Sequence, residues 1–402
     1  MLIHWIWLSR LPRVTIRQKL TLLQMFRDPE DIYYAHEAAL CQAEGITEKA
    51  MENLAQKDLT EARQILRNCD EKSISILTYG DGAYPSRLKN IPDPPLVLYY
   101  KGCLPDWDNM PVIAIVGTRK ASAYGMQAAV KFGNQIAACG GLVVSGGADG
   151  IDARAMQGAL QTGKKTVAVL GCGADVVYPA KNKELFAQTE KQGCILTEYI
   201  PGTPPNSWNF PQRNRIISGL SNGVLVVEAP EKSGALNTAR HAADQGRDVF
   251  VVPGNIDAEN CAGSNQLLRE RAIPVFSGYD VVREYECIYP QSITRDPGRN
   301  PNELLVAQEP VYPSIPQSPV LVHDKKSIDN REKSGYSVNR DAFSGLTAEE
   351  KAVVSQLTRT PKTVDTVIAD TGLPAGKVLS VLTMLAMKGV VQNHPGKCVS
   401  LK

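Results

Sequence analysis

The chain has 402 residues, enough for two or three domains that each bury their own core. Its formal net charge is only +2 and 43% of its residues are hydrophobic, so a surface that binds nucleic acid must be local. Its nine cysteines form no C-x-x-C pair, which argues against zinc and for a reducing compartment. The first apolar run ends at Arg10 without a cleavage site, so we expect a cytoplasmic protein with no membrane span and no metal.

Residues 1–70 predict a small all-α domain. Apolar side chains recur at helical spacing over 16–26, a turn follows at 28–29, and a second helical segment covers 32–43. The pattern is similar to SAM-like and helix-hairpin-helix modules, some of which contact DNA backbones. Because no clear Gly-x-Gly hairpin is present, a packing role is favoured over DNA contact.

Residues 71–285 alternate short apolar runs with helical stretches, the pattern of a doubly wound parallel sheet. The predicted strands are Val112–Val116, Leu142–Ser145, Thr166–Leu170, Ile195–Glu198, Gly223–Val227 and Asp248–Val252. We therefore predict a Rossmann-like α/β domain. Ligands of such folds bind outside the carboxyl ends of the strands, and the glycine-rich turns of this chain fall at those ends.

Three strand ends carry turns rich in glycine and hydroxyl groups just before a helix. A helix N-terminus presents free N–H groups and a positive dipole end, so each turn predicts a phosphate site. At the first turn the predicted phosphate contacts are Gly117, Thr118, Arg119, Ser122 and Gly125, at the second Ser145, Gly146 and Gly147, and at the third Ser233 and Gly234. Lys181 and Lys183, which follow a further strand, are predicted as additional phosphate contacts. Neither G-x-G-x-x-G nor a P-loop is present, so we expect no nucleotide cofactor. The alternatives are connections that bind nothing and a helix start with exposed lysines.

The segment 208–217 combines aromatic and cationic residues. This mixture is typical of single-stranded nucleic-acid binding, because bases stack on the rings while the cations hold the backbone. Its predicted DNA contacts are Phe210, Arg213, Asn214 and Arg215. The alternative is an aromatic side chain buried in a loop core, with the arginines paired to carboxylates such as Glu198 or Glu228.

Two further regions follow the sheet domain. Residues 286–342 are rich in proline and then in charge, and we predict a flexible linker with polyproline character. Residues 343–402 predict three helices and a hairpin, which resembles a winged helix. The third helix carries mainly Lys377 and Lys388 outside its apolar face, so DNA contact and protein contact both stay open.

Four motifs follow one another in a fixed order along the chain. They are Val116–Arg119 with Ser122, Tyr124 and Gly125, then Ser145–Asp152, Phe210–Ser218 and Ser233–Ala239. On these motifs the chain resembles the bacterial DNA-processing protein A (DprA, also called Smf) family over nearly its whole length. The resemblance implies a non-enzymatic homodimer that binds single-stranded DNA, protects incoming DNA and loads the RecA recombinase during natural transformation.

The resemblance also implies roles for individual positions. Arg119 would hold a phosphate, Phe210 would contact a base, and residues 145–147 would donate backbone or hydroxyl hydrogen bonds. The helix Asn265–Arg271 and the strand Ile273–Phe276 fall where the family makes its dimer and recombinase contacts. These expectations agree with the phosphate sites predicted from the turns.

Two residues depart from the family pattern: Thr118 keeps the hydroxyl of the usual serine, and Met156 replaces a common histidine. The competing class is a Rossmann-like enzyme, a nucleoside monophosphate hydrolase or a lyase. Such enzymes carry a Pro-Gly-Gly-x-Gly-Thr turn and a catalytic glutamate, whereas this chain has Glu228–Pro230 and then Ser233–Ala235 there. We therefore predict a binding protein. A scaffold that acts through its winged helix and linker alone is a third alternative.

Overall fold

The computed structural model describes residues 2–294, 347–358, 362–373, 375–394 and 398–401. Contacts within the chain form two units, Met1–Arg299 and Asn300–Lys402. From residue 295 to its end at 342, the predicted linker lies outside the described residues. Within the described ranges, none of the helices is both long enough and apolar enough to cross a membrane.

The first unit begins with a group of short helices. They are α1 (Leu2–Arg10), α2 (Ile16–Phe26), α3 (Pro29–Tyr34), α4 (Glu37–Leu40), α5 (Glu48–Ala55) and α6 (Thr60–Glu71). Thr15 and Gln18 form a capping box that starts α2. Leu22 is fully buried in a core that also contains Val97 and Tyr99. The helices therefore pack on the part of the sheet that carries these two residues.

One sheet runs through the first unit. Its strands are β1 (Ser75–Thr78), β2 (Val97–Gly102), β3 (Val112–Val116), β4 (Leu142–Ser145), β5 (Thr166–Val169), β6 (Cys194–Thr197), β7 (Gly223–Val226), β8 (Asp248–Val251) and β9 (Ile273–Pro274). Within residues 2–294 they form a nine-stranded sheet in the order β1-β2-β6-β5-β4-β3-β7-β8-β9. Neighbouring strands from β6 to β9 are parallel, whereas β2 pairs antiparallel with both β1 and β6.

Helices cover both faces of the sheet. They are α7 (Ser86–Lys89), α8 (Ala123–Ala138), α9 (Ile151–Leu160), α10 (Lys183–Gln192), α11 (Asn209–Leu220), α12 (Gly234–Asp244), α13 (Ala262–Arg269) and α14 (Gly278–Val282). Side chains of β3 alternate between two cores, with Val112 and Val116 in one and Ile113 and Ile115 in the other. The prediction of a doubly wound, Rossmann-like domain is confirmed.

The packed chain continues past Glu286, where the predicted linker begins. Tyr289 and Ile293 are buried in the core that contains Ile113, and the Thr294 N–H donates to the Cys139 carbonyl at 3.1 Å. The packed domain therefore ends later than predicted, because two isolated apolar side chains, Tyr289 and Ile293, hold this segment on the sheet. A change in average composition does not detect such an attachment.

The second unit has the architecture of a winged helix, as predicted. Its helices are α15 (Ala348–Gln356), α16 (Val364–Thr371) and α17 (Ala375–Met387), and its strands are β10 (Lys362–Thr363), β11 (Val391–His394) and β12 (Cys398–Leu401). Its described strands pair in the order β10-β12-β11. Val353, Val367 and Val378, one from each helix, are fully buried together.

The two lysines available to α17 for DNA contact are ion-paired within the second unit. Lys377 lies 2.5 Å from Glu349, and Lys388 lies 2.7 Å from Glu350. The positive charge predicted for this surface is therefore partly neutralised by the unit's own carboxylates.

Candidate nucleic-acid interface

A cleft of about 670 Å³ opens at the carboxyl ends of β3 and β7. Residues 116–120 after β3, the first half of α11 and residues 230–238 around the start of α12 contribute most of its lining. Of the predicted DNA contacts, the cleft brings together Gly117, Thr118, Arg119, Phe210, Arg213, Asn214, Ser233 and Gly234. Segments distant in sequence thus meet at the sheet edge where open α/β folds bind ligands.

Phe210, near the start of α11, is half-buried among aromatic and cationic side chains. The guanidinium carbons of Arg119 and Arg213 lie 5.4 Å and 5.9 Å from its ring centroid, within the range of cation–π attraction. The Tyr178 ring lies 5.5 Å away at a tilt of 39°. A Cβ at Gly171 would lie 2.9 Å from the ring, so only glycine permits this approach. The ring is held in place from several sides.

Arg119, Lys120 and Lys232 bring positive charge to the cleft. All three residues are exposed, and among the described residues none of the three takes part in a salt bridge. Arg119 instead stacks on the Phe210 ring. Their charges are available to an external anion.

The N-terminus of α12 opens into the cleft. The Ser233 hydroxyl caps the helix by accepting the Ala235 N–H at 3.3 Å. Gly234 is exposed, and its carbonyl accepts from the Asn214 side-chain amide at 3.3 Å, which ties α11 to α12. The first turn of α12 contains no acidic residue, so no carboxylate within that turn neutralises the positive end of the helix dipole.

The N-terminus of α8, the first predicted phosphate site, is occupied by the buried carboxylate of Glu228. The Ser122 N–H and hydroxyl donate to this carboxylate at 2.9 Å and 2.5 Å. The same hydroxyl accepts the Gly125 N–H at 3.0 Å, and a Cβ at Gly125 would collide with the carboxylate. The structure therefore corrects the expected role of Ser122 and Gly125: the anion they hold is supplied by the chain itself.

Asp152 closes the second glycine turn in the same way. Its buried carboxylate accepts the Gly146 N–H at 3.1 Å. Burial raises the pKa of Asp152, while the nearby Arg213 guanidinium and backbone N–H groups of the two turns act to lower it. The carboxylate thereby orders the second turn.

The other predicted donors of the second turn also face inward. The fully buried Ser145 hydroxyl donates to the Ile115 carbonyl at 2.6 Å. The Gly147 carbonyl accepts from the Asn182 side chain at 3.0 Å, and its φ of +64° favours glycine. As a correction to the expected phosphate contacts, Ser145 and Gly146 serve the internal order of the turn. For Gly147 only the carbonyl is engaged in this way, and the role of its N–H as a phosphate donor stays a prediction.

Two of the predicted contact arginines are engaged within the protein. Arg213 is 4% exposed and donates to backbone carbonyls, that of Gly146 at 2.8 Å among them. Arg215 donates to both oxygens of Glu198 at 2.7 Å and to Asp93 at 3.2 Å. Burial acts to lower the pKa of Arg215, but the two carboxylates raise it overall. Arg215 thus follows the ion-pair alternative, and Arg213 holds the turns together below Phe210.

Lys181 and Lys183 lie outside the lining of the cleft. Lys181 forms an exposed ion pair with Asp149, and Lys183 is an exposed residue at the start of α10. Both match the alternative of exposed lysines at a helix start. Exposed ion pairs contribute between about 0 and 1 kcal/mol to stability.

The cleft also contains residues that the predicted contact set missed, including Lys120, Tyr178 and Lys232. The two lysines stand next to predicted phosphate turns, and a cation beside such a turn was the signal that could have found them. Tyr178 reaches Phe210 from a loop after β5, so no local pattern connects the two rings.

Models of known protein families test the relationship to the DprA family that the four motifs indicate. The family model described as DNA recombination-mediator protein A matches residues 75–286, which is more than half of the chain. The chain belongs to this family. A second model, the DprA winged helix domain, matches residues 340–397. The two DprA models thus cover the cleft and most of the second unit.

Proteins of the DprA family in several bacteria resemble the chain. Protein Smf of Synechocystis sp. is 34% identical over 379 residues, which cover 93% of this chain and 92% of that protein. DNA processing protein DprA of Streptococcus pneumoniae is 44% identical over 218 residues, which cover 53% of this chain and 74% of that protein. The X-ray structure of DNA processing protein A from Streptococcus pneumoniae matches with a TM-score of 0.62 and 35% identity, over 71% of this chain and 98% of that one.

Proposed function

We propose that the chain binds single-stranded DNA in this cleft and acts in DNA processing by passing the strand to the RecA recombinase. The observation that carries the proposal is the grouping of three exposed cations and an open helix N-terminus around the ring of Phe210. DNA processing is also named for relatives that resemble the chain. The protein would work in the cytoplasm on DNA that has entered the cell, as the family resemblance implies.

Phosphates are the ligand that the cations favour. Arg119 offers a guanidinium fork for a phosphate, and the Lys120 and Lys232 ammonium groups offer charges on either side. The N-terminus of α12 adds backbone donors at Gly234. Each neutralised phosphate releases counterions, so the affinity of this site falls as salt rises.

A base is the ligand that the aromatic part favours. Phe210 and Tyr178 form a pair of rings beside the cations, and stacking on one such ring contributes about 1 to 3 kcal/mol. A base reaches a ring only when it leaves its own stack, which a single strand permits at little cost. The combination therefore favours single-stranded over duplex DNA.

Binding rather than catalysis fits the acid–base groups of the cleft. Asp152 is the one carboxylate among the residues that line it, and this side chain is buried against backbone N–H groups. Glu228, at the place of the Pro-Gly-Gly-x-Gly-Thr turn of the competing enzymes, is held by Ser122. Neither group is placed to exchange protons with a bound nucleotide.

The test is fluorescence anisotropy of labelled oligo-dT and a matched duplex across a salt series. We expect the single strand to bind more tightly, and Arg119→Ala to reduce the steepness of the salt dependence by about 0.7, the value for one phosphate contact on a single strand. Phe210→Leu should weaken binding by roughly tenfold because stacking is lost, whereas Phe210→Tyr keeps the ring.

Arg63→Ala is the matched control for Arg119→Ala, because it removes one exposed arginine outside the cleft lining. Equal binding of single strand and duplex, with Arg119→Ala behaving like Arg63→Ala, would remove DNA from this cleft. Nucleoside monophosphate hydrolysis would then be the next activity to assay.

We further propose that the surface around β9 forms the homodimer and recombinase contacts that the family resemblance implies. Phe276 is 73% exposed, and Ile273, Ile256 and Tyr124 are also exposed apolar or aromatic residues of the first unit. Exposed apolar groups of this kind favour protein contacts. Tyr124 and Phe276 together line a groove of about 230 Å³.

Phe276→Asp should convert the dimer to monomer in light scattering and reduce RecA filament assembly on DNA coated with single-strand-binding protein. Exposed Tyr34, at 70% exposure on α3, provides the control Tyr34→Asp. A Phe276→Asp protein that stays dimeric and still stimulates RecA would move both contacts to another surface.

A further inference from the structure

A second cavity, of about 360 Å³, lies on the other side of α11 from the cleft. Phe210 and Arg213 of α11 line the cleft, whereas Gln212 and Arg215 of the same helix line the second cavity. Residues 93–97 before and within β2 and residues 198–200 after β6 form its base. Both openings therefore lie at the carboxyl edge of the parallel sheet, where ligands of this fold class bind.

The N-terminal helices form the outer wall of the second cavity. Ser9 and Arg10 at the end of α1 and Ile16 and Lys19 of α2 line it. The N-terminal helices, for which the sequence favours only a packing role, thus contribute two cations, Arg10 and Lys19, to a cavity at the ligand-binding edge of the sheet.

Lys19 and Arg10 bring two positive charges to this cavity. Lys19 is 7% exposed, and its ammonium donates to the Ser9 carbonyl at 2.8 Å, which uses one of its three N–H groups. Burial and the neighbouring Arg10 lower the pKa of Lys19 to about 8, while the Asp93 carboxylate acts to raise it. Two like charges close together, one of them buried, favour an anion between them.

The carboxylates of the cavity are already engaged. Asp93 and Glu198 both accept hydrogen bonds from Arg215, and Arg10 pairs on its exposed side with Glu61 at 2.9 Å. Within the described residues, Lys19 forms no salt bridge. An anion that enters the cavity can therefore accept hydrogen bonds from the two ammonium N–H groups of Lys19 that the Ser9 carbonyl does not use.

We propose that the second cavity binds a phosphate group through Lys19 and Arg10. The phosphate is either a backbone phosphate of a strand that leaves the cleft across α11 or a free phosphate monoester. The first source rests on the proposed function of the cleft and extends its footprint to the N-terminal helices. An α-helix with its side chains is about 10 to 12 Å wide, so a strand must be several nucleotides long to contact both sites.

The test compares labelled dT4 and dT20 on the full chain, together with inorganic phosphate and thymidine monophosphate followed by calorimetry. Lys19→Met keeps the length and apolar stem of the side chain but removes its charge, and Arg10→Gln removes the charge of the second cation. For a backbone phosphate, we expect Lys19→Met to weaken dT20 binding roughly tenfold, to lower the salt slope by about 0.7, and to leave dT4 unchanged. Arg10→Gln should act in the same direction.

For a free monoester, both variants should weaken binding of phosphate and thymidine monophosphate and leave dT20 unchanged. Lys49→Met removes an exposed charge from the same group of helices and is the matched control. Variants that bind all four probes as the wild type does would overturn the second site. If Arg119→Ala still weakens binding of dT4 and dT20 in that case, the proposed function of the cleft stands. If Arg119→Ala has no effect on either oligonucleotide, the proposed DNA site in the cleft is wrong as well.

Discussion

Three helices begin at the same edge of one sheet, and they differ in what faces their N-termini. Glu228 occupies the start of α8, and Asp152 occupies the turn before α9. The start of α12 has no acidic residue in its first turn and opens into the cleft. A glycine-rich turn before a helix therefore marks an anion site, and the source of the anion depends on whether the fold brings a carboxylate there.

The two closed sites have a structural consequence for the open one. Because the Glu228 carboxylate binds Ser122 and the Ile151 N–H donates to the Thr118 carbonyl at 3.3 Å, the loop that carries Arg119 is fixed between the starts of α8 and α9. Arg213 donates to Gly146 in the same cluster and lies under the Phe210 ring. The internal anions thus position the cation and the ring that we propose to contact DNA. The first two predictions below remove a carboxylate from a closed site or add one to the open site.

The largest effect is expected from Asp152→Ala. The change leaves the Arg213 guanidinium buried without the nearby negative charge and the Gly146 N–H without its acceptor, which should cost about 3 to 5 kcal/mol of unfolding free energy. All four tryptophans lie in the first unit, so urea unfolding followed by tryptophan fluorescence reports on this unit. Asp149→Ala, which breaks only the exposed pair with Lys181, should cost less than about 1 kcal/mol. Equal losses in both variants would contradict a closing role for Asp152.

Gly234→Asp should turn the open site into a closed one. A carboxylate at the start of α12 would satisfy the free N–H groups and repel phosphate, so we expect affinity for oligo-dT to fall by about tenfold. Gly234 has space for a side chain, since a Cβ there meets nothing within 4 Å. Gly234→Asn has the same shape without the charge and should bind nearly as the wild type does. If both variants lose affinity equally, shape rather than charge governs this position.

A pair of serine variants compares a closed site with the open one directly. Ser122→Ala removes two hydrogen bonds around Glu228 and should cost about 1 to 2 kcal/mol of stability without changing DNA affinity. Ser233→Ala should cost only about 0.5 to 1 kcal/mol but should weaken oligo-dT binding. Unfolding in urea and anisotropy on the same samples separate the two effects. If Ser122→Ala weakened DNA binding and Ser233→Ala did not, the DNA would contact the start of α8 rather than that of α12.

The smallest effect concerns Lys19, a buried cation without a carboxylate partner in the described residues. Its folded pKa is about 8 and its unfolded pKa is about 10.4, so between these values the unfolded state binds more protons and stability rises with pH. The free energy of unfolding of the wild type should therefore rise by about 1 kcal/mol relative to that of Lys19→Met from about pH 7 to about pH 9. Lys49→Met should show no such change. A difference that stays constant with pH would mean that the pKa of Lys19 is not lowered in the folded protein.

Local patterns in the sequence predicted the α/β fold and the winged helix, because each strand and helix carries its own pattern of apolar residues. Buried parallel strands need continuous apolar runs, and Val112–Val116 is one in which every residue is buried. Turns at strand ends need glycine and small polar residues, which marked the correct edge of the sheet. The antiparallel pairing of β2 was not predicted, because strand direction depends on partners that are distant in sequence.

The amino-acid sequence by itself determined where anions could bind, since the donors of a turn and the helix that follows are encoded within a few residues. Only the tertiary structure decided which of these sites the chain fills itself. Glu228 lies more than a hundred residues after Ser122, and Arg215 finds Glu198 and Asp93 on two other segments. Buried charges must be compensated, and the compensating group comes from whichever segment the fold brings close.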